Sequence, residues 1–433
     1  MVPGAAQAHD DFGSKCIVRS TRMAGCGIIR MATEWGGRRR GSPMTRYGRA
    51  LRMIAFMSFG AAALPLTAAP MPAELEAATQ RTIDRGLTFL EKSQRPDGGW
   101  LGDERSDPAI SALIITAFMH DADYGPRHPV VERGLAFMMR FVQRDGGIYV
   151  EGEALKNYQT SVCLAALSAW KSLQPSMAEA DQTGRYDSAI KAAQDFLKNL
   201  QWDEHEEHDR DSSWYGGAGY GRGKRPDLSN TQMMVEALHE SGLSKDDPAY
   251  QKAVQFISRC QNLDETNDQP FARGVRDGGF IYSCANDGES KAGTDLIEGR
   301  PHLRSYGSMT YAGFKSLLYA GVARDDERVK TCVEWIKRHY TLDANPNMPH
   351  SQSKEGLYYY YHVFAKALYA WGETLIADSR GEVHNWRVDL CAKLNSLQLD
   401  DGSWVNTYDR WMEGNPQLVT AYSLRALQTA LSR

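Results

Sequence analysis

The 433-residue sequence predicts an all-α fold, an α6/α6 toroid in which about twelve helices form a double ring from six helix-turn-helix repeats. Three observations predict it. A Gly-centred turn recurs six times, an amphipathic helix with a polar face precedes each copy, and a more apolar helix follows each copy.

The first turn closes the segment 74–94 with Ser93, Gln94, Arg95, Pro96, Asp97, Gly98, Gly99 and Trp100. Residues 143–149 (QRDGGIY) repeat that ending, Asp145 falling 48 residues after Asp97. The turn returns as YGGAGY from Tyr215, RDGGFIY from Arg276, KEGLYYY from Lys354 and QLDDGSW from Gln398. Polar-faced helices are predicted before the turns at 74–94, 129–143, 185–201, 247–261, 325–340 and 383–398. Apolar helices are predicted after them at 108–120, 158–173, 228–241, 306–321, 358–375 and 417–430. Helices apolar on most faces belong inside a ring, with the amphipathic ones outside, and six pairs can close on themselves. The prediction includes no sheet of consequence.

Each turn has a physical reading. Gly supplies positive φ after a helix, Asp bonds back into the bend, and the aromatic ring covers it. The next helix starts on a polar cap: Asp107 before Pro108, Asp227 or Ser229, and Asn415 before Pro416, where Pro suits the first helical turn.

Residues 94–100 and 398–404 resemble the QxxDGSW/QxxDGGW repeat of squalene and oxidosqualene cyclases, including bacterial squalene-hopene cyclases, and in looser form that of protein prenyltransferase β subunits. The resemblance covers residues 75–430 and implies this toroid. It leaves function open, because related toroids serve as cyclases, as prenyl transferases and as complement-type binding domains.

Two family sites can be laid on the sequence. Class II triterpene cyclases open one inner helix with Pro-Asp-x-Asp-Asp-Thr, whose central Asp protonates an alkene or epoxide. Residues Pro226, Asp227, Leu228, Ser229, Asn230 and Thr231 share that frame, with Ser229 at the acid position. A hydroxyl of ordinary acidity cannot protonate a carbon–carbon double bond, whereas a carboxylic acid in a dry site can. The acid motif is therefore not intact. Asp227, Ser229 and Asn230 also read as simple helix caps. Arg222, Lys224 and Arg225 nearby are expected to keep Asp227 ionised. Protein prenyltransferases hold zinc through an Asp, a Cys and a His on inner helices. His362 matches the histidine, but Tyr306 and Ser308 stand where Asp and Cys would be, so no metal site is expected. Tyr306 and His362 join Asp227 as candidate catalytic groups, and Ser229, Asn230, Gln232, Arg304, Ser308 and Tyr361 as candidate ligand-binding groups.

Composition narrows the partners. Apolar residues at 42% and charged residues at 24% suit a large core. The first 69 residues hold ten Lys and Arg against three Asp and Glu, so the body is acidic and carries no nucleic-acid footprint. Met44 opens a run with Arg46, Arg49 and Arg52, an apolar stretch 53–66 and the small residues Thr67, Ala68 and Ala69, which is the order of a secretory signal. Residues 1–43 then read as a disordered leader or a mis-assigned start, 44–69 as a signal peptide, and the mature chain as exported without a transmembrane helix. Its five cysteines read as core thiols. No cofactor motif is present. The expected partner is an apolar small molecule, isoprenoid-like by resemblance, with membrane-surface association open. An isoprenoid-handling enzyme, a lipid-binding toroid and a protein-binding scaffold all fit the sequence.

Overall fold

Six Gly turns and the caps that follow them set the architecture of the computed structural model, which describes residues 70–102, 104–173, 180–297 and 299–432. The leader and signal segments, 1–43 and 44–69, lie outside the described residues. In chain order the helix pairs are α1 (Ala73–Lys92) and α2 (Pro108–Met119), α3 (Pro129–Met138) and α4 (Lys156–Ser172), α5 (Ala180–Lys198) and α6 (Leu228–Glu240), α7 (Pro248–Arg259) and α8 (Gly307–Tyr319), α9 (Glu327–His339) and α10 (Leu357–Trp371), and α11 (Trp386–Leu397) and α12 (Pro416–Leu431). The even-numbered helices pack each on the next, and α12 packs back on α2. The odd-numbered helices surround them, α11 against α1. The ring is closed.

Glycine chemistry joins the repeats. Gly98, Gly146, Gly216, Gly278 and Gly402 have φ between 80 and 91°, the left-handed region that an L-residue avoids. A methyl group on any of them would run into a backbone carbonyl of the next outer helix: Arg133, Ala192, Lys252, Thr331 and, across the seam, Arg85 of α1. Gln94, Gln201, Gln261 and Gln398 each donate to the glycine carbonyl of their own turn and to a carbonyl of the next outer helix, Val130, Ala249, Arg328 and Thr82. The indoles of Trp100 and Trp404 donate back to Leu90 and Leu394 at 2.7 and 2.9 Å, sealing the helix that leads into the turn.

A second repeated contact was not read from the sequence. A hydroxyl one turn into each of five inner helices accepts the N–H that follows the glycines: Ser111 from Trp100, Thr160 from Ile148, Thr231 from Ala218, Thr310 from Phe280 and Thr420 from Trp404. Thr231, the last residue of the cyclase-like frame, is thus a joint between helix and turn.

Three inner helices start without a side-chain cap of their own: α4 at Leu155, α8 at Tyr306 and α10 at Gly356. Asn345 instead accepts Ser308 N–H at 2.9 Å, and Glu413 accepts Tyr359 N–H at 2.7 Å, so two inner helices are capped from other segments.

Three two-stranded antiparallel hairpins, absent from the prediction, occupy the longer connections: β1 (Gln261–Leu263) with β2 (Arg276–Phe280), β3 (Thr294–Ile297) with β4 (Arg300–Leu303), and β5 (Leu375–Ala377) with β6 (Val383–Asn385). The last shortens two predicted helices, because Gly372 ends α10 in the left-handed region and α11 waits for its Asn385 cap. Cys163, Cys260, Cys284, Cys332 and Cys391 are buried free thiols. Among the described residues no helix is long and apolar enough to cross a membrane.

Candidate functional site

The inner helices all begin at one end of the ring, and their side chains divide its bore into two chambers. The cap-side chamber, about 290 Å³, is lined by residues at the helix starts. The far chamber, about 340 Å³, is lined by residues further along the same helices. Met233, Tyr359 and Tyr422 line both and form the partition.

The cap-side chamber is walled by Ile110, Leu155, Met233, Met309, Leu418 and the rings of Tyr158, Tyr220, Tyr282, Tyr306, Tyr359 and Tyr422. Its surface is mostly apolar, and hydroxyls supply most of the polar points. Burial raises the phenols of these tyrosines, so they stay protonated donors. The Tyr359 hydroxyl accepts from the Gln232 amide at 3.1 Å.

Three carboxyl groups at this end, those of Asp107, Asp227 and Glu413, serve as helix caps. Asp107 accepts Ala109 and Ile110 N–H at 2.8 and 2.9 Å for α2, and its second oxygen takes Gln159 at 3.2 Å. Asp227 accepts Asn230 N–H at 2.8 Å for α6, and its other oxygen takes the Asn230 amide at 2.8 Å. Glu413, 1% exposed, caps α10 and takes the Asn406 amide at 2.6 Å. Burial dominates their acidity: it raises Asp107, lifts Asp227 to about 6 and lifts Glu413 to about 7, against the hydrogen bonds that favour the anion. The expectation that the basic run keeps Asp227 fully ionised is corrected here. Arg225 pairs with Glu289 and Arg222 reaches towards Glu206, so Arg225 only partly offsets the larger desolvation.

The raised Asp227 has a consequence for stability. Below about pH 3 the group is protonated in both folded and unfolded chains, and as pH rises through 4 towards 6 the unfolded chain ionises first, so folding loses about 3 kcal/mol through this residue. Asp227→Asn removes this pH dependence. The difference in unfolding free energy between wild type and variant should move by about that amount in the variant's favour from about pH 3 to pH 7. Parallel denaturant curves across that range would contradict the assignment.

At the rim, Trp411 and Met412 have φ of 55 and 65°, rare for bulky residues. Trp411 lies against Gly356, where a methyl would meet its ring at 2.9 Å, and the Arg410 guanidinium sits 4.5 Å from its centroid. Arg410 is itself paired with Glu355. The strained pair is held from both sides.

The far chamber is charged. Glu236 of α6 bonds both Lys315 of α8 and Lys366 of α10, and Lys366 reaches Glu240 at 2.8 Å. Arg425 of α12 completes the set, donating to Gln428 at 2.9 Å. Burial lowers His120 to about 3 and takes His362 and His239 down as well, so these imidazoles are neutral near pH 7. Two buried atoms, His362 Nδ1 and Gln232 Oε1, have no hydrogen-bond partner.

The candidate residues divide among these places. Ser229, Asn230, Tyr306 and Ser308 line the cap-side chamber. Gln232 and His362 line the far chamber, so Tyr306 and His362 do not converge on one cavity. Asp227, 3% exposed, lies behind the cap-side wall and meets the chamber through Asn230. Arg304 lines neither chamber and is bound to Asp295 after the β3–β4 hairpin. Tyr361 is fully buried and donates to Leu342 O at 2.6 Å. Glu413, Glu236, Lys366 and Arg425 were missed. The last three carry a readable signal, a charge on an inner helix that is otherwise apolar.

Among the described residues, one trio, Asp378, Glu382 and His384 beside the β5–β6 turn, brings metal-ligating atoms together. Asp378 is already bound by Arg380 and by the N–H groups of Arg380 and Glu382.

Solved structures with this architecture align over most of the chain. D-mannose isomerase matches at 12% identity with a TM-score of 0.50, over 83% of this chain and 99% of that one. The type II terpene cyclase MstE from Scytonema, with geranylgeranyl dihydroxybenzoate bound, matches at 14% and 0.47, over 82% and 98%. Cellobiose 2-epimerase from Spirochaeta thermophila matches at 11% and 0.48, over 83% and 100%. The chain has the α/α toroid fold, and at these identities the likeness extends to the fold alone. No protein-family model and no curated protein sequence matches the chain.

Proposed function

We propose that the ring binds a compact, largely apolar small molecule of isoprenoid type in the cap-side chamber, without proton-initiated cyclisation. The observation that carries this reading is the lining itself: six tyrosine rings and five aliphatic side chains around about 290 Å³. Aromatic faces and methionines suit an unsaturated chain, and the phenols offer hydrogen bonds to one polar group on it. The volume lies at the small end of ligand pockets, about 300–1,000 Å³, which favours a short prenyl chain over squalene. Ser229 stands at the position where an initiating acid is needed, and the three carboxyls nearby are committed to helix ends.

The test uses geraniol, farnesol and squalene with the purified chain. Saturable one-to-one binding of the two alcohols is expected by calorimetry, without cyclic product. Met309→Trp, which fills the chamber, should abolish it while circular dichroism shows the fold retained. Absence of binding, or equal binding by the filled variant, would remove the reading. Cyclic product from wild type would remove its non-catalytic part.

Export belongs to the same proposal, because the charge order from Arg46 to Ala69 is that of a cleaved signal. Expression from Met44 should yield a secreted chain whose N-terminus, by sequencing, falls between Ala69 and Met71. An intact leader in the cytosol would count against it.

A further inference from the structure

The far chamber contains an unbalanced charge that the cap-side ligand does not use. Glu236 and Glu240 face Lys315, Lys366 and Arg425. The two lysines take both carboxylates, Lys366 bonding each of them. Arg425 is left with the neutral amide of Gln428 as its hydrogen-bonded side-chain partner, and no carboxylate among the described residues lies within ion-pair distance of it. The three imidazoles near it are neutral, so they neither add to nor cancel its charge. A guanidinium presents a planar fork of donors that matches a carboxylate or phosphate, and holding it partly desolvated without an anion is costly.

A second observation points to a ligand with more than charge. Gln232, 1% exposed, and His362, 7% exposed, line this chamber, and each keeps one buried polar atom without a partner. The Gln232 amide nitrogen is occupied by the Tyr359 hydroxyl at 3.1 Å, which leaves its oxygen as a free acceptor. The His362 ring is fixed against Tyr422, with centroids 5.4 Å apart. Buried polar atoms are nearly always satisfied in native structures, so two on residues that line one chamber point to a missing partner.

We propose that the far chamber is a binding site for a small hydroxylated anion, a hydroxycarboxylate or a phosphate ester, whose anionic group sits on Arg425 and whose hydroxyl meets Gln232 Oε1 and His362 Nδ1. The site is separated from the cap-side chamber by Met233, Tyr359 and Tyr422, and it stands whether or not that chamber takes an isoprenoid. The lysines hold the carboxylates away from the anion, and Arg425 supplies the attraction.

The experiment titrates the full chain by calorimetry with glycerol 1-phosphate, inorganic phosphate, malate and succinate, at one ionic strength fixed with sodium chloride so that screening is the same in every titration. One saturable site is expected. Glycerol 1-phosphate should bind more tightly than phosphate, and malate more tightly than its deoxy counterpart succinate. Arg425→Gln should weaken binding of all four by about 10-fold to 100-fold. Gln232→Leu should instead erase the preference for the hydroxylated member of each pair. If Arg425→Gln does not fold, Arg425→Lys replaces it and should weaken binding while leaving the hydroxyl preference intact. No saturable binding by wild type, or full affinity in the Arg425 variant, would overturn the proposal. A Gln232→Leu variant that keeps the preference would overturn the hydroxyl half of it.

Discussion

Glu236→Gln should lower the unfolding free energy by about 3–5 kcal/mol, because it removes the carboxylate shared by two buried ammonium groups. Lys315 is fully buried, and the side chains of Lys366 and Glu236 are 12% and 13% exposed. Burial opposes the Glu236 charge, and the two ammoniums overcome that and hold its carboxyl well below the usual range. Lys366 moves the other way, upwards, under the same attraction. The carboxylate therefore ties α6 to α8 and α10 at once. An amide in its place leaves two like charges facing each other with no anion between them. Glu240→Gln provides the comparison: that side chain is 31% exposed, touches Lys366 alone, and should cost about 1 kcal/mol or less. Adding Lys315→Met to Glu236→Gln should restore much of the loss, since an apolar side chain needs no counter-charge. Urea unfolding of the four proteins measures all three values. A Glu236→Gln protein within about 1 kcal/mol of wild type would show that the network carries no weight.

The turns were legible in the sequence because they need unusual chemistry: glycine where φ is positive, glutamine with two carbonyls in reach, and an indole that must hide its ring while bonding its N–H. The hydroxyls at Ser111, Thr160, Thr231, Thr310 and Thr420 perform an equally regular task, yet Ser and Thr are common in helices and mark nothing by themselves. The site was less legible, for a reason of height. Tyr306 is itself a helix cap, whereas His362 lies six residues past Gly356. At 1.5 Å per residue this offset is about 9 Å along the bore, enough to place the two in different chambers. Glu413 could not be paired with α10 from sequence at all, because its partner Tyr359 is 54 residues away and α10 has no cap of its own to suggest a substitute. The charges on the inner helices were legible in principle. Glu236 and Lys315 fall nine residues past Asp227 and Tyr306, and Lys366 and Arg425 ten past Gly356 and Asn415, which puts all four at one level of the ring.

Gly216→Ala should be the most damaging small substitution in the ring. Its φ of 80° costs an alanine about 1–2 kcal/mol by itself. Steric overlap costs more: the added methyl would fall inside contact distance of the Lys252 carbonyl, carbon and Cα, all backbone of α7, which cannot turn aside as a side chain would. Room for it requires moving the turn off α7. That move would also stretch the two bonds from Gln201 to Gly216 O and Ala249 O, now 2.8 and 3.0 Å, which join the third repeat to the fourth. Strain, overlap and broken bonds together should exceed about 4 kcal/mol. Gly152→Ala separates backbone strain from overlap. Gly152 has a φ of 85°, nearly the same, but a methyl there meets nothing within 4 Å, so only the backbone strain remains, about 1–2 kcal/mol. Because α7 and α6 stand at the wall that carries Asp227 and Ser229, Gly216→Ala should also loosen the cap-side chamber, and Gly152→Ala should leave it intact. Equal destabilisation of the two variants in denaturant unfolding would show that the close approach of turn to helix is not what holds successive repeats together.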